Sequence, residues 1–295
     1  MAERKSFDEL TLMDDYMFAV VFQDTKFLKP LLEFILKIKI SKIELAEPQR
    51  TEKEGYNAKG VRLDLYVVDE NGVIYNVEVQ TSNKRNLPKR MRYYQSVIDI
   101  SVLNTGDEYN KLRKSIVIFI CNYDPFYRDR YIYTFENICR EEPDLRFGDE
   151  TTKVVINTNG CKGEISDELK EIITYLKDEK ITGEFSKALD DAVNEVKESE
   201  ERRREYMILN MRDNEMRAEG KSEGLIEGRK EGRKEGRKEG LKEGRKDGLT
   251  EGAFLTAWNM AKSGLIPIEK AAEFVGLSVD DFEKQVVSYT KKSEG

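Results

Sequence analysis

Histidine is absent from this 295-residue chain, and its absence removes a good deal of chemistry at once. Without an imidazole there is no Ser-His-Asp or Cys-His nucleophile, no histidine general base and few of the usual zinc sites. Cysteine is scarce: Cys121, Cys139 and Cys161 are odd in number and widely spaced. That argues against a disulfide framework and for reduced, buried thiols in a cytoplasmic protein. No stretch approaches the roughly 18 uncharged apolar residues that a membrane-crossing helix needs. Met1-Ala2-Glu3-Arg4-Lys5 has no signal-peptide core, so a soluble, cytoplasmic protein with no membrane partner is expected. A Walker A loop and a Gly-rich dinucleotide fingerprint are also missing. Positive charge is outnumbered, 50 Lys and Arg against 57 Asp and Glu, for a net charge of −7. This argues against indiscriminate nucleic-acid binding but leaves room for a local basic surface.

The most informative segment present is a hairpin pattern. Val61-Arg62-Leu63-Asp64-Leu65-Tyr66-Val67-Val68 and Val73-Ile74-Tyr75-Asn76-Val77-Glu78-Val79-Gln80 both follow a two-residue period. Val61, Leu63, Leu65 and Val67 are expected on one face and Asp64 on the other. Likewise Val73, Tyr75, Val77 and Val79 oppose Asn76, Glu78 and Gln80. Glu70-Asn71-Gly72 suits a three-residue turn with Gly72 in the left-handed position. Counting back from an Asp69–Val73 pair aligns Asp64 with Glu78 and Arg62 with Gln80. Directly opposed Cβ atoms lie about 5 Å apart, and two carboxylates there repel unless a cation sits between them. Mg²⁺ is such a cation. The plainer alternative is a solvated strand face with ordinary polar residues.

The next segment, Lys84-Arg85-Asn86-Leu87-Pro88-Lys89-Arg90-Met91-Arg92, carries five positive charges and no negative one. Pro88 fits the first turn of a helix. A helix N-terminus with Lys and Arg beside an acidic pair can hold a phosphodiester over a metal, whereas the plainer reading is a solvated helix face. Arg128 and Arg130 in the loop after Asp124-Pro125 are placed to add to the basic surface.

These segments resemble the PD-(D/E)XK nuclease superfamily, and within it the recombination-promoting nuclease and transposase group of bacteria. Asp14-Asp15-Tyr16-Met17-Phe18 with Phe22, Lys89 through Ser96, and Gly106-Asp107-Glu108-Tyr109-Asn110-Lys111-Leu112 before an apolar run carry the same likeness. It covers roughly residues 7 to 160, with a looser similarity in the tail. The resemblance implies an α/β restriction-endonuclease-like core, a mixed sheet flanked by helices. It matches Asp64 to the family's metal-binding Asp and Glu78 to the first acid of the (D/E)XK pair, with the Val79 carbonyl completing the metal shell. A further ligand would come from Asp15 or Glu33, with Asp15 preferred. An Asp at that position also suits the start of a helix, where the dipole favours an acid. Gln80 falls where the superfamily consensus has Lys. Lysine would stabilise the attacking hydroxide or the pentavalent phosphate by charge, while Gln can only position water through hydrogen bonds.

Helices are expected near 14–23, 27–38 and 88–104, and strands near 40–46, 61–68 and 73–80. Ser115 through Cys121 is continuously apolar, as a buried central strand would be. Strands near 131–135 and 154–156 close the first of four regions, a nuclease-like domain at 1–160. A helical extension follows at 161–219, with apolar residues at three- and four-residue spacing. Residues 220–252 place nine glycines, Gly220 to Gly252, at every fourth position among Arg, Lys and Glu. Each interior Gly disfavours a helix by about 0.5 to 1 kcal/mol against Ala. Two readings remain there: a partly helical charged linker, or a helix through which two copies self-associate. Residues 253–295 read as a small module of three helices, Phe254–Lys262, Ile268–Val275 and Ser278–Tyr289. Ala272, Gly276 and Phe282 fall at helix-turn-helix spacing. Asp280, Asp281 and Glu283 are acidic where DNA contacts would fall, which favours a helical cap or an oligomerisation module.

The expected function is a Mg²⁺-dependent (or Mn²⁺-dependent) DNA endonuclease associated with recombination or transposition. Asp64, Glu78 and Gln80 would do the chemistry, and Lys84, Arg85, Lys89, Arg90 and Arg92 would bind DNA phosphates. The alternative is a catalytically inactive DNA-binding or self-assembling protein built on the same core.

Overall fold

The computed structural model describes residues 5–52 and 61–293. Its sheet grows from the hairpin. Strands β1 (Ile43–Glu52), β2 (Val61–Asp69) and β3 (Ile74–Gln80) form an antiparallel meander, β1 beginning and ending later than the expected 40–46. Between β2 and β3 the pairs are Leu65↔Val77, Tyr66↔Asn76, Val67↔Tyr75 and Val68↔Ile74, which is the expected register. The turn explains why. Gly72 sits at φ 75°, the Asp69 N–H donates to the Val73 carbonyl at 3.1 Å, and the Asp69 carboxylate accepts from the Asn71 and Val73 N–H groups. The expected Arg62–Gln80 pair lies beyond the described ladder.

Next come β4 (Ser115–Cys121), β5 (Ile132–Phe135) and β6 (Thr151–Asn157), giving the order β1-β2-β3-β4-β6-β5. Strands β3, β4 and β6 are parallel, and β5 closes the edge antiparallel to β6. Parallel neighbours need a crossover, and α3 (Leu87–Val102) supplies it between β3 and β4. Every residue of β4 is buried, as its unbroken apolar run requires.

Helices cover both faces. One face packs against α1 (Asp15–Phe22), α2 (Thr25–Leu36), α4 (Asp167–Asp178) and α5 (Glu184–Glu198), with Phe18, Phe22, Leu28, Leu65, Val77, Ile118, Ile172 and Leu189 in one continuous cluster. The other packs against α3, whose Leu87, Met91, Tyr94 and Ile98 meet Tyr66, Ile74, Val117 and Phe119. The hairpin's polar side is therefore not a solvated surface. Leu63 departs from the simple alternation: it packs in the α3 cluster with Tyr66 and Ile74, whereas Leu65 and Val67 belong to the opposite one. The regular β2–β3 ladder stops at Leu65↔Val77, and the strict period stops with it.

The thiols are all free, but only Cys121 is buried. Cys139 is half-buried and Cys161 exposed, because they lie in irregular segments outside the strands.

The chain divides into two compact units, Met1–Met211 and Arg212–Gly295. Helix α6 (Glu200–Lys262) runs unbroken for 63 residues through the glycine repeat. Arg, Lys and Glu between the glycines are good helix formers, and a helix already nucleated propagates at little further cost. Apart from the adjoining residues and the helix's own backbone, no atom among the described residues lies within 4 Å of where a Cβ would stand on any of the nine repeat glycines. In the second unit Phe254 and Ala257 of α6 pack with Ala271 and Ala272 of α7 (Ile268–Phe274) and with Phe282 and Val286 of α8 (Val279–Ser293). Gly276, at φ 71°, turns the chain between α7 and α8. Asp280 and Asp281 occupy the first turn of α8.

Candidate active site on the hairpin and helix α3

One step past the last regular β2–β3 pair, backbone pairing gives way to side chains. The Asp64 N–H donates to Glu78 Oε1 at 3.0 Å, and the Val79 N–H donates to Asp64 Oδ2 at 3.2 Å. Each carboxylate is thus aimed by the opposite strand's main chain. Asp64 is 9% exposed and Glu78 0%. Asn76, two residues before Glu78 and so on the same face, donates its Nδ2 to Glu78 Oε1 at 3.1 Å. Its own Oδ1 is buried without a partner.

Helix α3 lays Arg90 over this pair. Arg90 Nη2 is 3.4 Å from Glu78 Oε2, and Nη1 donates to Gln80 Oε1. The guanidinium is held from behind by Tyr94, one helical turn on. The Tyr94 oxygen accepts from Arg90 Nη2 at 2.6 Å and from Nε at 3.1 Å. The guanidinium carbon also stands 5.1 Å from the Tyr94 ring centre and 5.2 Å from that of Phe119. Phe119 is there because β4 places it beside Glu78.

The electrostatics follow from burial. Burial pushes the Glu78 carboxyl well above its usual range, and the Asp64 charge pushes it further. The Asp64 N–H, Arg90 and the Asn76 amide act the other way and do not compensate. Burial alone would lower Arg90, but Tyr94, Glu78 and Asp64 outweigh it and keep the guanidinium charged. Burial and the Glu78 charge raise the Tyr94 hydroxyl, so it stays protonated. Cys121, paired with Gln80 at the end of β4, is pushed by burial up to about 12 and is no thiolate nucleophile.

The structure therefore brings Asp64, Glu78, Val79, Gln80 and Arg90 together. Asp15 is not gathered with them: it opens α1, whose apolar residues pack on the opposite cluster, and its carboxylate accepts the neighbouring Tyr16 N–H at 2.8 Å. Glu33 is occupied too, accepting the Ile40 N–H at 2.9 Å. Among the described residues no three acidic or thiol side chains converge into a metal-holding group. Lys84, Arg85, Lys89 and Arg92 are exposed around the start of α3, whose first turn has no acid to oppose them. Arg128 and Arg130 are exposed as well, in a loop tied by the Asp124 carboxylate to the Phe126, Arg128 and Asp129 N–H groups.

Three contributors escaped the sequence reading: Asn76, Tyr94 and Phe119. The first two carried a signal, since Asn76 is two residues from Glu78 on a strand and Tyr94 four from Arg90 on a helix. Phe119 became a neighbour only through strand order.

The donor set suits a hard divalent cation. It consists of carboxylate and carbonyl oxygens with no nitrogen or sulfur, and two carboxyl groups are set side by side where a cation would favour ionising both. A model of the family described as PD-(D/E)XK nuclease family transposase matches residues 12–216. The chain belongs to that family. The match spans the whole sheet, α1 through α5 and the start of α6, so the hairpin and α3 lie inside it. Comparison with curated proteins and with solved structures gave no match. Among the described residues no helix is long and apolar enough to cross a membrane.

Proposed function

We propose that this member of the nuclease family hydrolyses phosphodiester bonds within DNA strands, in a step of transposition or recombination. The observation that carries the reading is the buried Asp64–Glu78 pair, fixed by opposing main-chain N–H groups beneath a charged Arg90. Asp64, Glu78 and the Val79 carbonyl would hold Mg²⁺ or Mn²⁺, an ion that lowers the pKa of bound water and offsets charge on the scissile phosphate. Asp15 is left out of this set; Mg²⁺ keeps waters readily, and these would supply the ligands that the protein does not.

Gln80 orients the attacking water. Its Nε2 donates to the Ser82 carbonyl at 3.2 Å and its Oε1 accepts from Arg90. A carbonyl oxygen has a second lone pair, which can accept from the water. Arg90, held by Tyr94, supplies positive charge beside the phosphate. Lys84, Arg85, Lys89 and Arg92 bind flanking phosphates and set the strand's position. With no histidine in the chain, solvent protonates the leaving oxygen. By family resemblance the ends are 5′-phosphate and 3′-hydroxyl.

A second reading, a catalytically inactive DNA-binding or self-assembling protein, draws on Gln80 at the consensus lysine position and on Arg90 already sitting against Glu78. Supercoiled plasmid with Mg²⁺ separates the two. Nicking by the wild type, and by neither Asp64→Ala nor an EDTA control, supports the nuclease. Inactivity of wild type and variant alike in both Mg²⁺ and Mn²⁺ gives the second reading its case.

A further inference from the structure

Helix α3 has two flanks on the sheet. With 3.6 residues per turn, Arg90 and Arg92 leave the helix about 200° apart. Arg90 reaches toward β3 and Glu78. On the opposite flank, toward β6 and β5, lies a cavity of about 430 Å³ that the nuclease reading leaves unused. Met91 of α3 and Phe126 form its apolar floor, and the Phe135 ring, 43% exposed, forms a wall. Phe126 and Phe135 stand 5.0 Å apart, ring centre to ring centre. Arg92 and Lys153 line it as well; Lys153 also lies near enough to the Asp99 carboxylate for its charge to favour the ionised form of that acid. The acid in the lining, Glu136, is itself paired with Arg146. Asn137 adds an amide.

A planar aromatic wall, an apolar floor, an amide and two cations fit a nucleotide: a base against Phe135 and its phosphates against Arg92 and Lys153. Strands stand about 4.8 Å apart, so β6, two places from β3, lies about 10 Å from the strand of Glu78. A short length of one DNA strand spans that distance across the start of α3, where Lys84 and Lys89 are exposed. A base paired and stacked in a duplex cannot present its face to such a wall; an unpaired one can.

We propose that this cavity receives an unpaired base of the strand whose phosphate lies at Asp64 and Glu78, making single-stranded or locally unpaired DNA the preferred substrate. The proposal rests on the nuclease reading. The test is fluorescence anisotropy of the full chain with single-stranded and duplex oligonucleotides of one sequence, in EDTA so that nothing is cut. A set of single strands each carrying one 2-aminopurine is scanned in parallel.

Wild type should bind the single strand more tightly than the duplex, and 2-aminopurine emission should change at one position. Phe135→Ala should weaken single-strand binding about tenfold, leave duplex binding within twofold and remove that emission change. Arg92→Ala, on an exposed side chain, should weaken single-strand binding with the base signal retained. If Phe135→Ala weakens both DNAs equally, or neither, the base site is overturned while DNA binding stands. Absence of binding to either DNA by wild type overturns the nuclease reading and this proposal with it. Unchanged circular dichroism for both variants keeps misfolding out of the comparison.

Discussion

The two faces of the sheet are built from the same strands yet hold different kinds of residue. Toward α1, α2, α4 and α5 the strands bury a large aliphatic and aromatic cluster, with the Asp69 carboxylate at the turn accepting from the Tyr75 hydroxyl at 2.8 Å. Toward α3 the same strands bury Asp64, Asn76 and Glu78 among Tyr66, Tyr94 and Phe119. Burying carboxylates is costly unless they are paired or hold a cation. One Asn76 oxygen is left with no partner at all. A fold selected only for stability would have put apolar residues there, as it did a strand's thickness away. The contrast separates the face that holds the protein together from the face that carries the candidate site.

The largest expected effects test that division directly. Phe18→Ala on the apolar face should cost about 3–5 kcal/mol of stability in urea unfolding, with nicking per folded molecule preserved. Asp64→Asn should do the reverse, lowering the plasmid-nicking rate by at least about 10²- to 10³-fold with little change in melting temperature. If Asp64→Asn unfolds the protein as Phe18→Ala does, the two faces are not distinct in role.

A pH titration comes next. Glu78 has a folded pKa well above its ordinary 4.5. Between those values the folded state binds the proton more tightly than the unfolded state. Its contribution is therefore fully favourable below about pH 4.5 and is lost as pH rises through the folded pKa. The slope for one proton is at most about 1.4 kcal/mol per pH unit. Glu78→Gln should flatten this part of the stability curve. Binding of a divalent cation, which displaces the same proton, should strengthen over the same window, and calorimetry at several pH values reads it.

Tyr94→Phe removes the oxygen that receives two Arg90 donors and should lower stability by about 1–2 kcal/mol in chemical denaturation. The smallest effect belongs to the exposed cations. Lys84→Ala should leave stability unchanged and reduce the salt dependence of DNA affinity by about one unit of log–log slope.

Much of the hairpin was legible in the sequence because two local rules fix it. Gly72 sets the turn, the turn sets the register, and the register places Asp64 beside Glu78. The buried β4 and the Pro88 start of α3 were legible for similar reasons. Leu63 was misplaced because the two-residue period lapses where regular pairing ends, and nothing local announces that. Asp15 was placed near the acidic pair on resemblance, yet α1 packs on the other face of the sheet. Arg90 read as one basic residue among five. Only packing of α3 over β3 and β4 separates it from exposed Lys89 and Arg92 and turns it toward Glu78. In the tail, nine glycines argued against a helix, but a propensity is a small free energy per residue and the helix already running from Glu200 carries through.

The mutual wiring of Asp64 and Glu78 has an evolutionary consequence. Each carboxylate is oriented by accepting an N–H from the facing strand, and the carbonyl half of an amide accepts the same bond. Asp to Asn and Glu to Gln are each a single base change in the codon. Asp64→Asn can extinguish its charge and keep the Val79 N–H bond, whereas Glu78→Gln keeps the Asp64 N–H bond only by turning its NH2 toward the Arg90 guanidinium. A single base change at Asp64 can thus remove a charge without unfolding the hairpin, so the charge of the acidic pair and the stability of the fold are separable properties.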